Sequence, residues 1–309
     1  MAEAKPGRLG IGVVGAGKVG AVLGAALRAA GHAVVGVSAV SAASRERAAV
    51  LLPGVPVLPV PEVVERAELV LLAVPDDALP DLVSGLAGTG AWQPGQLVVH
   101  TSGRHGTGVL APARAKGAIP LAIHPAMTFT GMSLDLARLP DCSFGVTADR
   151  AVLPIAQALV VEMGAEPVVV EERDRPLYHA ALAHASNHLV TIAAQAAQLL
   201  GAAGIERPDR LLGPLMRASL ENALASGEAA LTGPVARGDA GTVRVHRDAL
   251  LGFEVGGGAT DIRQAYEELA RATAKRALAR GLLKDETATT ILDVLSPHRT
   301  PPAAQEDMQ

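Results

Sequence analysis

Three closely spaced glycines lie near the amino terminus of the 309-residue chain, directly after an apolar run, Leu9–Val14. Gly15, Gly17 and Gly20 fit the pattern Gly-x-Gly-x-x-Gly, and an Ala/Leu-rich stretch follows them. Such glycines allow a tight turn, a close approach of the backbone to a pyrophosphate, and close packing of helix on strand. A helix that begins there offers free N–H groups to phosphates. The sequence therefore predicts a nucleotide-binding loop made of Gly15, Ala16, Gly17, Lys18, Val19 and Gly20.

The residues that follow the next apolar run, Ala33–Val37, bear on the choice between NAD and NADP. An NAD site places Asp or Glu about 20 residues beyond the glycines, where it binds the ribose hydroxyls. Here residues 36–45 contain no carboxylate but include Ser38, Ser44 and Arg45. Hydroxyls and a guanidinium can bind a 2′-phosphate, so we predict NADP as the cofactor and disfavour NAD. Alternatively, Arg45 and nearby Arg47 only solvate the start of a helix.

Small and polar residues also follow later apolar runs. Carboxyl ends of parallel strands are where doubly wound sheets bind ligands, so these residues should line the nicotinamide side of the site. They are Ala73, Val74, Pro75, Thr101 and Ser102. His124 ends a further run, Ala118–Ile123, and histidine has the unperturbed pKa closest to neutral pH. We therefore predict that His124 is the acid/base group, although a structural role for it stays open.

A stretch without Asp, Glu, Lys or Arg runs from residue 176 to residue 205 and is long enough to span a bilayer. Its polar residues would be costly in hydrocarbon, so a buried central helix is the better interpretation. One helical face carries a polar stripe made of His184, His188, Thr191, Gln195 and Gln198. No third ligand accompanies the two histidines, so we predict no metal site. Asn187, beside the stripe, is expected to orient a substrate oxygen or nitrogen.

The segment Gly233–Asp239 combines a Gly-Pro breaker pair, a cation and an acidic residue. Two interpretations stay open: Asp239 caps a helix, or the segment contacts the substrate. In the second, Arg237 binds a substrate carboxylate while Asp239 holds its loop. The predicted catalytic set is His124, Asn187, Arg237 and Asp239.

Two kinds of element must position these residues. Unbroken Val/Leu/Ile runs indicate parallel strands buried on both faces by helices. The predicted strands are Leu9–Val14, Ala33–Val37, Val55–Leu58, Leu69–Val74, Gln96–His100, Ala118–Ile123, Ser143–Val146 and Pro167–Val170. Between them, crossover helices are predicted at Val19–Ala30, Ser44–Leu52 and Asp76–Leu86.

After about residue 173 only helical patterns remain. They cover Leu177–Gly204, Pro208–Ala225, pieces of Thr232–Leu251, Asp261–Arg280 with a capping pattern at Asp261, and Asp285–Leu295. We therefore predict an α/β domain over residues 1–172, with a doubly wound, mostly parallel sheet. An all-helical domain for substrate binding and dimerisation should cover residues 173–295. Residues 296–309 are expected to form a disordered tail.

Composition excludes several classes of function. Apolar residues make up 49% of the chain, aromatic residues only 2%, and the net charge is −4. These values argue against binding to nucleic acid or to anionic membranes. A single cysteine, Cys142, excludes an internal disulfide framework. The first eight residues lack a secretion signal pattern, so we expect a cytoplasmic protein.

Together these motifs resemble bacterial proteins that pair a Rossmann-like domain with a C-terminal domain of unknown function. The resemblance rests on the glycine loop, His100–Gly103, His124-Pro125 with Thr128-Phe129, Tyr178-His179 with Ser186-Asn187, and Gly233–Asp239. More distantly, the chain is similar to 6-phosphogluconate-dehydrogenase-like reductases, which include pyrroline-5-carboxylate reductase, ketopantoate reductase, β-hydroxyacid dehydrogenases and prephenate dehydrogenase. This resemblance implies a Rossmann-type fold, hydride transfer with NAD(P)H, and homodimers built through the helical domain.

Two hypotheses follow. The first is an oxidoreductase that acts on a small anionic keto, imine or hydroxy compound, and His124-Pro125 resembles the His-Pro pair of prephenate dehydrogenases. The second is a catalytically silent NADP-binding sensor or assembly protein. It is favoured by Ala183, which stands where β-hydroxyacid dehydrogenases carry a catalytic Lys.

Overall fold

The computed structural model describes residues 8–296, and in them one seven-stranded sheet precedes a helical region. The strands are β1 (Gly10–Val14), β2 (Ala33–Ser38), β3 (Leu69–Leu72), β4 (Leu97–His100), β5 (Ile119–Pro125), β6 (Ser143–Ala148) and β7 (Glu166–Val169). Their order is β2-β1-β3-β4-β5-β6-β7. All neighbours are parallel except β5 and β6. The predicted Rossmann-type, mostly parallel sheet is confirmed.

Helices cover both faces of the sheet and then fill the carboxyl-terminal half. They are α1 (Lys18–Ala29), α2 (Ala42–Leu51), α3 (Val60–Glu65), α4 (Leu79–Gly88), α5 (Ala111–Arg114), α6 (Leu134–Arg138), α7 (Leu153–Glu162), α8 (Arg175–Ala202), α9 (Pro208–Ser226), α10 (Gly233–Arg237), α11 (Ala240–Val255), α12 (Asp261–Ala279) and α13 (Asp285–Leu295). Short 3₁₀ turns occur at Thr107–Leu110, Leu139–Asp141, Glu172–Asp174 and Gly227–Ala230.

Alternate residues of each central strand enter two separate apolar cores. On one face Val13 of β1 packs with Leu23 of α1 and with α7, and on the other Val14 packs with Val63 of α3 and Val83 of α4. Burying one such side chain contributes about 1.5–3 kcal/mol, so both faces stabilise the sheet. The carboxyl ends of β1 to β5 consequently meet at one edge.

One predicted strand, Val55–Leu58, is wrong. This segment pairs with β2 only through an isolated bridge between Val57 and Val37. Prolines at positions 53, 56 and 59 remove backbone N–H donors, so no ladder extends along the edge. The next residues form α3, with a proline in its first turn.

The chain separates into two compact units inside α8, between Leu189 and Val190. We call them the sheet unit, up to Leu189, and the helical unit, from Val190. The predicted change from strands to helices near residue 172 agrees with the element order, and the domain boundary at 172/173 stays a prediction. Most helices of the second half were predicted nearly to the residue, because amphipathic spacing and capping residues are local signals.

The helical unit has its own core, which contains Val243, Ala274 and Ile291. Helix α12 begins at Asp261 as predicted, but the predicted capping pattern there is wrong. Thr260, not Asp261, occupies the position before α12, and no side chain caps it. The Asp261 carboxylate instead accepts a hydrogen bond from Gln195 Nε2 at 2.7 Å.

Helix α8 does not have the burial that was predicted. Of its 28 residues only Arg175 is buried within this chain, and the others are half-buried or exposed. In the described residues, none of the helices has both the length and the hydropathy needed to cross a membrane. The predicted disordered tail lies outside the described residues, apart from Ser296.

Candidate functional site

The glycine loop after β1 combines two glycines that the fold requires with one that it does not. Gly15 has φ +98°, and a Cβ atom there would lie 2.6 Å from the Ala73 carbonyl oxygen. A Cβ at Gly20 would lie 2.1 Å from the Gly15 carbonyl oxygen. At Gly17, however, the nearest atom to a Cβ would be 4.0 Å away, and its φ of −69° suits any residue. Gly17 therefore leaves open space above the loop, as the approach of a pyrophosphate requires.

The first turn of α1 is available to an anion. No side chain caps the helix at Gly17, and no acidic residue lies in its first turn. The N–H groups at this end therefore lack a side-chain acceptor, and the helix dipole favours negative charge there. Lys18 begins the helix and is exposed, whereas Val19 is half-buried. The loop and helix end fit the phosphate groups of a dinucleotide.

The predicted ribose-side residues adopt different roles at the end of β2. The Ser38 hydroxyl accepts a hydrogen bond from the Gly15 N–H at 3.0 Å, so Ser38 supports the glycine loop. Ser44 donates its hydroxyl to the Ser41 carbonyl oxygen at 2.8 Å inside the cap of α2. Arg45 is exposed and donates to the Val40 carbonyl oxygen at 2.7 Å, which keeps its guanidinium beside the β2 end.

A second cation lies on the other side of the same loop. Arg47 Nη1 donates to the Ala16 carbonyl oxygen at 3.0 Å. The sequence interpretation mentioned Arg47 only as a residue that solvates a helix start. In the structure its guanidinium lies against the glycine loop itself.

Loops after β3 and β4 end at the same edge of the sheet. Residues Ala73 and Val74 are half-buried, and Pro75 is exposed. Thr101 is half-buried, and the Ser102 N–H donates to His100 Nδ1 at 3.2 Å. Burial lowers the pKa of His100 to about 4, although its hydrogen bond to the Gly106 carbonyl oxygen opposes this. A neutral His100 therefore shapes the loop that carries Thr101 and Ser102.

Arg175, the first residue of α8, is fully buried beneath this loop. Its guanidinium donates to the carbonyl oxygens of Ser102 (3.2 Å), Ala122 (3.0 Å) and Gly145 (3.0 Å) and, through Nε, to the Thr147 hydroxyl (2.8 Å). Within residues 8–296 no carboxylate lies within ion-pair distance of it. Arg175 thus fastens β4, β5 and β6 to α8 and leaves a positive charge at the sheet edge.

His124 contacts the first turn of α8. Its Nδ1 lies 2.9 Å from the Tyr178 hydroxyl, and the two rings meet edge to face. The His179 ring lies 5.9 Å from that of His124. A Cβ at Gly103 would lie 2.5 Å from His179, and a Cβ at Gly145 would lie 2.6 Å from the Tyr178 hydroxyl. Two glycines therefore make room for this aromatic cluster.

The protonation of the cluster differs from the sequence-based expectation. Burial first, and then the charges of Arg175 and His179, lower the pKa of His124 to about 4. The expectation that His124 titrates near neutral pH is therefore wrong, because an imidazolium would be desolvated beside a buried cation. Burial raises the pKa of Tyr178, and Arg175 opposes that rise. At neutral pH both His124 and Tyr178 are uncharged.

Glu172 holds the segment that leads into α8. Its carboxylate accepts hydrogen bonds from the N–H groups of Thr107 (2.7 Å) and Gly108 (3.0 Å) and from the Thr107 hydroxyl (3.2 Å). Burial alone would raise the pKa of Glu172, but these hydrogen bonds outweigh it and lower the pKa. A Cβ at Gly106 would lie 2.1 Å from this carboxylate. Glu172 therefore fixes the position from which Tyr178 reaches His124.

The other predicted catalytic residues are Asn187, Arg237 and Asp239. Asn187 is exposed on α8, and its Oδ1 accepts a hydrogen bond from the Ser186 hydroxyl at 3.1 Å. Arg237 is exposed at the end of α10 in the helical unit. Asp239 caps α11 by accepting from the Thr242 N–H at 3.0 Å, which confirms the capping interpretation. Substrate contacts of Asn187, Arg237 and Asp239 stay predictions.

Sequence reasoning did not assign a role to Arg175, Tyr178 or His179. The available signals were weak. Arg175 directly precedes the uncharged stretch, and Tyr178 is one of only two tyrosines in the chain. Gly103 ends the His100–Gly103 motif and Tyr178-His179 is part of the family resemblance, but neither motif indicated this contact, and Gly145 has no recognisable motif around it.

Comparison with known proteins places both halves of the chain. The model of the Rossmann-like domain family matches residues 1–125, and that of the domain of unknown function DUF2520 matches residues 142–273. A search of curated proteins found no match.

Several solved structures share the fold over nearly their whole length. Protein TM1727 from Thermotoga maritima is 22% identical, with a TM-score of 0.63 over 88% of this chain and 99% of its own. A candidate NADP oxidoreductase, BF3122 from Bacteroides fragilis, is 22% identical, with a TM-score of 0.71 over 86% and 98%. An imine reductase from Myxococcus stipitatus in complex with NADP⁺ is 19% identical, with a TM-score of 0.61 over 92% and 99%.

Proposed function

The chain combines a Rossmann-like domain with a DUF2520 domain, and from this premise we propose that it is an NADP-dependent oxidoreductase. Its substrate is a small anionic keto, imine or hydroxy compound. The observation that carries the proposal is the open space at Gly17, beside an uncapped helix end. Packing within the fold does not require glycine at this position. The close approach of a dinucleotide pyrophosphate to the loop backbone would require it.

The preference for NADP rests on cations around the loop. Arg45 lies beside the end of β2, Arg47 lies against the glycine loop, and Lys18 is exposed at the start of α1. Guanidinium groups bind phosphates through charge-assisted hydrogen bonds. The imine reductase from Myxococcus stipitatus, which shares the fold, was solved with NADP⁺. These features favour a 2′-phosphate over free ribose hydroxyls.

When bound, NADP(H) supplies or accepts the hydride, and this chain must supply the rest. The loops of Ala73–Pro75 and Thr101–Ser102 end at the sheet edge, where they can exclude water from the nicotinamide. His124, near the end of β5, and Tyr178, in the first turn of α8, provide groups that hold protons. A sensor that only binds NADP, which Ala183 would suit, has no need of such a pair.

Calorimetric titration with NADPH and NADH tests the cofactor. NADPH should bind more tightly, and Arg45→Ala should narrow the difference by about 1–3 kcal/mol, as expected for a lost charge-assisted hydrogen bond. Arg66→Ala is the matched control, because Arg66 directly follows α3 and pairs with Glu62, one turn earlier, at 3.5 Å. A preference for NADH would refute the assignment.

Turnover is tested by loss of NADPH absorbance with three probes: pyruvate, cyclohexanone, and the cyclic imine 2-methyl-1-pyrroline. Arg237→Ala should raise KM for the anionic probe with little change in kcat, because lost uniform binding acts on KM. NADPH binding without turnover of any probe would favour the silent sensor.

We also propose a homodimer formed through α8 and α9. Neither helix buries an apolar side chain within the chain, and several large apolar residues are exposed on them. They are Leu177, Leu189, Val190, Ile192, Leu211, Leu215, Leu220 and Leu224. Extended apolar surfaces of this kind mark interfaces. Light scattering at micromolar concentration should give twice the chain mass, and a monomer would contradict the proposal.

A further inference from the structure

We infer that the Tyr178 hydroxyl, and not the His124 imidazole, is the group that exchanges a proton with the substrate. His124 acts as its positioning partner, and the site serves the carbonyl–alcohol couple. This inference rests on the proposed oxidoreductase function and specifies which residue and which substrate class it uses.

His124 is not the proton donor of this cluster. The pKa of about 4 leaves this imidazole without the extra proton at neutral pH, so it cannot act as an imidazolium donor. Its Nδ1 is engaged by the Tyr178 oxygen at 2.9 Å. If Nδ1 carries the ring proton and donates it, the Tyr178 oxygen accepts and its own O–H remains free to point to a ligand.

Tyr178 becomes a negatively charged phenolate when it gives up its proton, and Arg175 lies close to that charge. The Arg175 guanidinium carbon lies 5.8 Å from the centre of the Tyr178 ring. Burial raises the pKa of Tyr178, with a smaller contribution from Cys142, whereas the charge of Arg175 and the backbone of Gly145 oppose that rise and so favour the phenolate. In the part of the chain that the structure describes, the guanidinium hydrogen-bonds to carbonyl and hydroxyl oxygens; Glu172 interacts with its charge but is not paired with it, so the charge can stabilise a phenolate.

The charges of the cluster also bear on whether the substrate is a carbonyl or an iminium. A carbonyl is neutral and needs an acid when hydride reaches its carbon, whereas an iminium already carries its proton. An iminium would also place a cation beside Arg175, at a cost in Coulomb energy. The negative charge of Asp76 raises the pKa of His124 and would favour a cation. However, the Asp76 carboxylate lies 3.7 Å from Arg104, whose positive charge offsets it. The cluster therefore favours a developing alkoxide.

The proton and electron balance follows. The carbonyl carbon receives a hydride with both electrons from the reduced dinucleotide, and the carbonyl oxygen takes the Tyr178 proton. The phenolate then takes the Nδ1 proton of His124 while Nε2 takes a proton from water, which leaves as hydroxide, and exchange with solvent returns the ring proton to Nδ1 before the next turnover. The reverse sequence oxidises an alcohol, and the net reaction consumes or releases one proton per hydride.

Ionisation of Tyr178 can be measured without a substrate. In a Tyr266→Phe background, Tyr178 is the only phenol, so its phenolate absorbance is followed against pH while circular dichroism monitors folding. His124→Leu should raise the pKa of Tyr178, because a donor to the phenolate is lost. His124→Asn should restore it, because an amide N–H can replace Nδ1–H. A lower pKa of Tyr178 in His124→Leu would mean that Tyr178 donates to His124, and an unchanged pKa would mean that His124 does not affect Tyr178. Either result would overturn the inference.

Turnover supplies the second readout. Tyr178→Phe should lower kcat for pyruvate or cyclohexanone about 10²–10⁴-fold while the Kd for NADPH stays unchanged. Tyr266→Phe, the other tyrosine, should keep the wild-type rate. Full turnover by Tyr178→Phe would overturn the inference, as would wild-type protein that reduces only the cyclic imine or binds NADPH and reduces no carbonyl. Wild-type protein that fails to bind NADPH would instead refute the proposed function.

Discussion

Each of the two tyrosines hydrogen-bonds to Nδ1 of a histidine, but the two pairs have different surroundings. Tyr178 lies 2.9 Å from His124 in the sheet unit, and Tyr266 lies 3.0 Å from His246 in the helical unit. In both pairs the rings meet edge to face. Only Tyr178 has a buried guanidinium, that of Arg175, among the causes that shift its pKa.

Solvent access separates the pairs further. Tyr266 and the exposed His246 line an open cavity of about 540 Å³ in the helical unit, together with apolar residues such as Leu250 and Phe253. His124, in contrast, is desolvated enough to have a pKa of about 4. The comparison teaches that a tyrosine–histidine contact does not by itself make a proton-transfer site. Burial, a nearby cation and a position at the sheet edge distinguish the pair for which we propose proton transfer.

The largest expected effect comes from removing the buried cation. Arg175→Met leaves three carbonyl oxygens and the Thr147 hydroxyl without their charged donor, so the free energy of unfolding should fall by about 3–5 kcal/mol. Arg247→Met in the helical unit loses two hydrogen bonds, to Glu267 at 3.0 Å and to the Val294 carbonyl oxygen at 2.9 Å, and should cost only about 1–2 kcal/mol, because each net hydrogen bond is modest. After this substitution the Glu267 carboxylate still pairs with Arg263 at 3.2 Å and with Arg271 at 3.5 Å. Thermal and urea unfolding measure both, and equal losses would contradict this ranking.

Acid should weaken the sheet unit before the helical unit. His100 and His124 have folded-state pKa values of about 4 against 6.5 when unfolded. The unfolded chain therefore binds protons first, and stability is complete above pH 6.5 and falls towards pH 4, by about 3 kcal/mol per histidine. Glu267 in the helical unit has a pKa lowered below 4.5, so its contribution persists until the pH falls below that value.

Hydrogen exchange between pH 6.5 and 4.5 checks this order. Peptides of the sheet unit should lose protection, and His124→Asn should remove part of the loss. Equal or greater loss in the helical unit would contradict the prediction.

A smaller effect is expected at Gly17, and on ligand binding only. Gly17→Ala places a methyl group where the pyrophosphate approaches, so NADPH affinity should fall at least about tenfold, or about 1.4 kcal/mol. Gly252→Ala in α11 is the control, since no atom lies within 4 Å of its Cβ position. Calorimetry measures the affinity, and melting temperatures should be unaffected at Gly17. An unchanged Kd would remove the main support for the dinucleotide site.

Helix caps should show the smallest difference between the units. Asp239 caps α11 and Ser41 caps α2, each by accepting an N–H three residues ahead. Replacing either with Ala should cost about 1 kcal/mol. Asp239→Ala should cost slightly more, because its carboxylate also accepts the Thr242 hydroxyl at 2.7 Å. Loss of turnover without loss of stability in Asp239→Ala would point instead to the substrate-contact interpretation.

Local sequence signals were sufficient for most of the fold. Val/Leu runs predicted the strands, and the Asp239 cap followed from neighbours in the chain. Val55–Leu58 was misread because its apolar pattern resembles a strand, whereas Pro56 prevents a ladder. The exposure of α8 could not be read locally, because an uncharged helix has the same sequence whether its own chain or another covers it.

The sequence by itself determined the Rossmann-type sheet, the glycine loop and the run of helices, because these depend on residues close together in the chain. Only the tertiary structure decided that His124 contacts the Tyr178 hydroxyl and that the Arg175 guanidinium lies over the Tyr178 ring. His124 lies in β5 and its partner Tyr178 lies in α8, 54 positions further along the chain, so only folding brings them together. It also decided that His124 is neutral, because a pKa follows from burial and from charges that folding brings near.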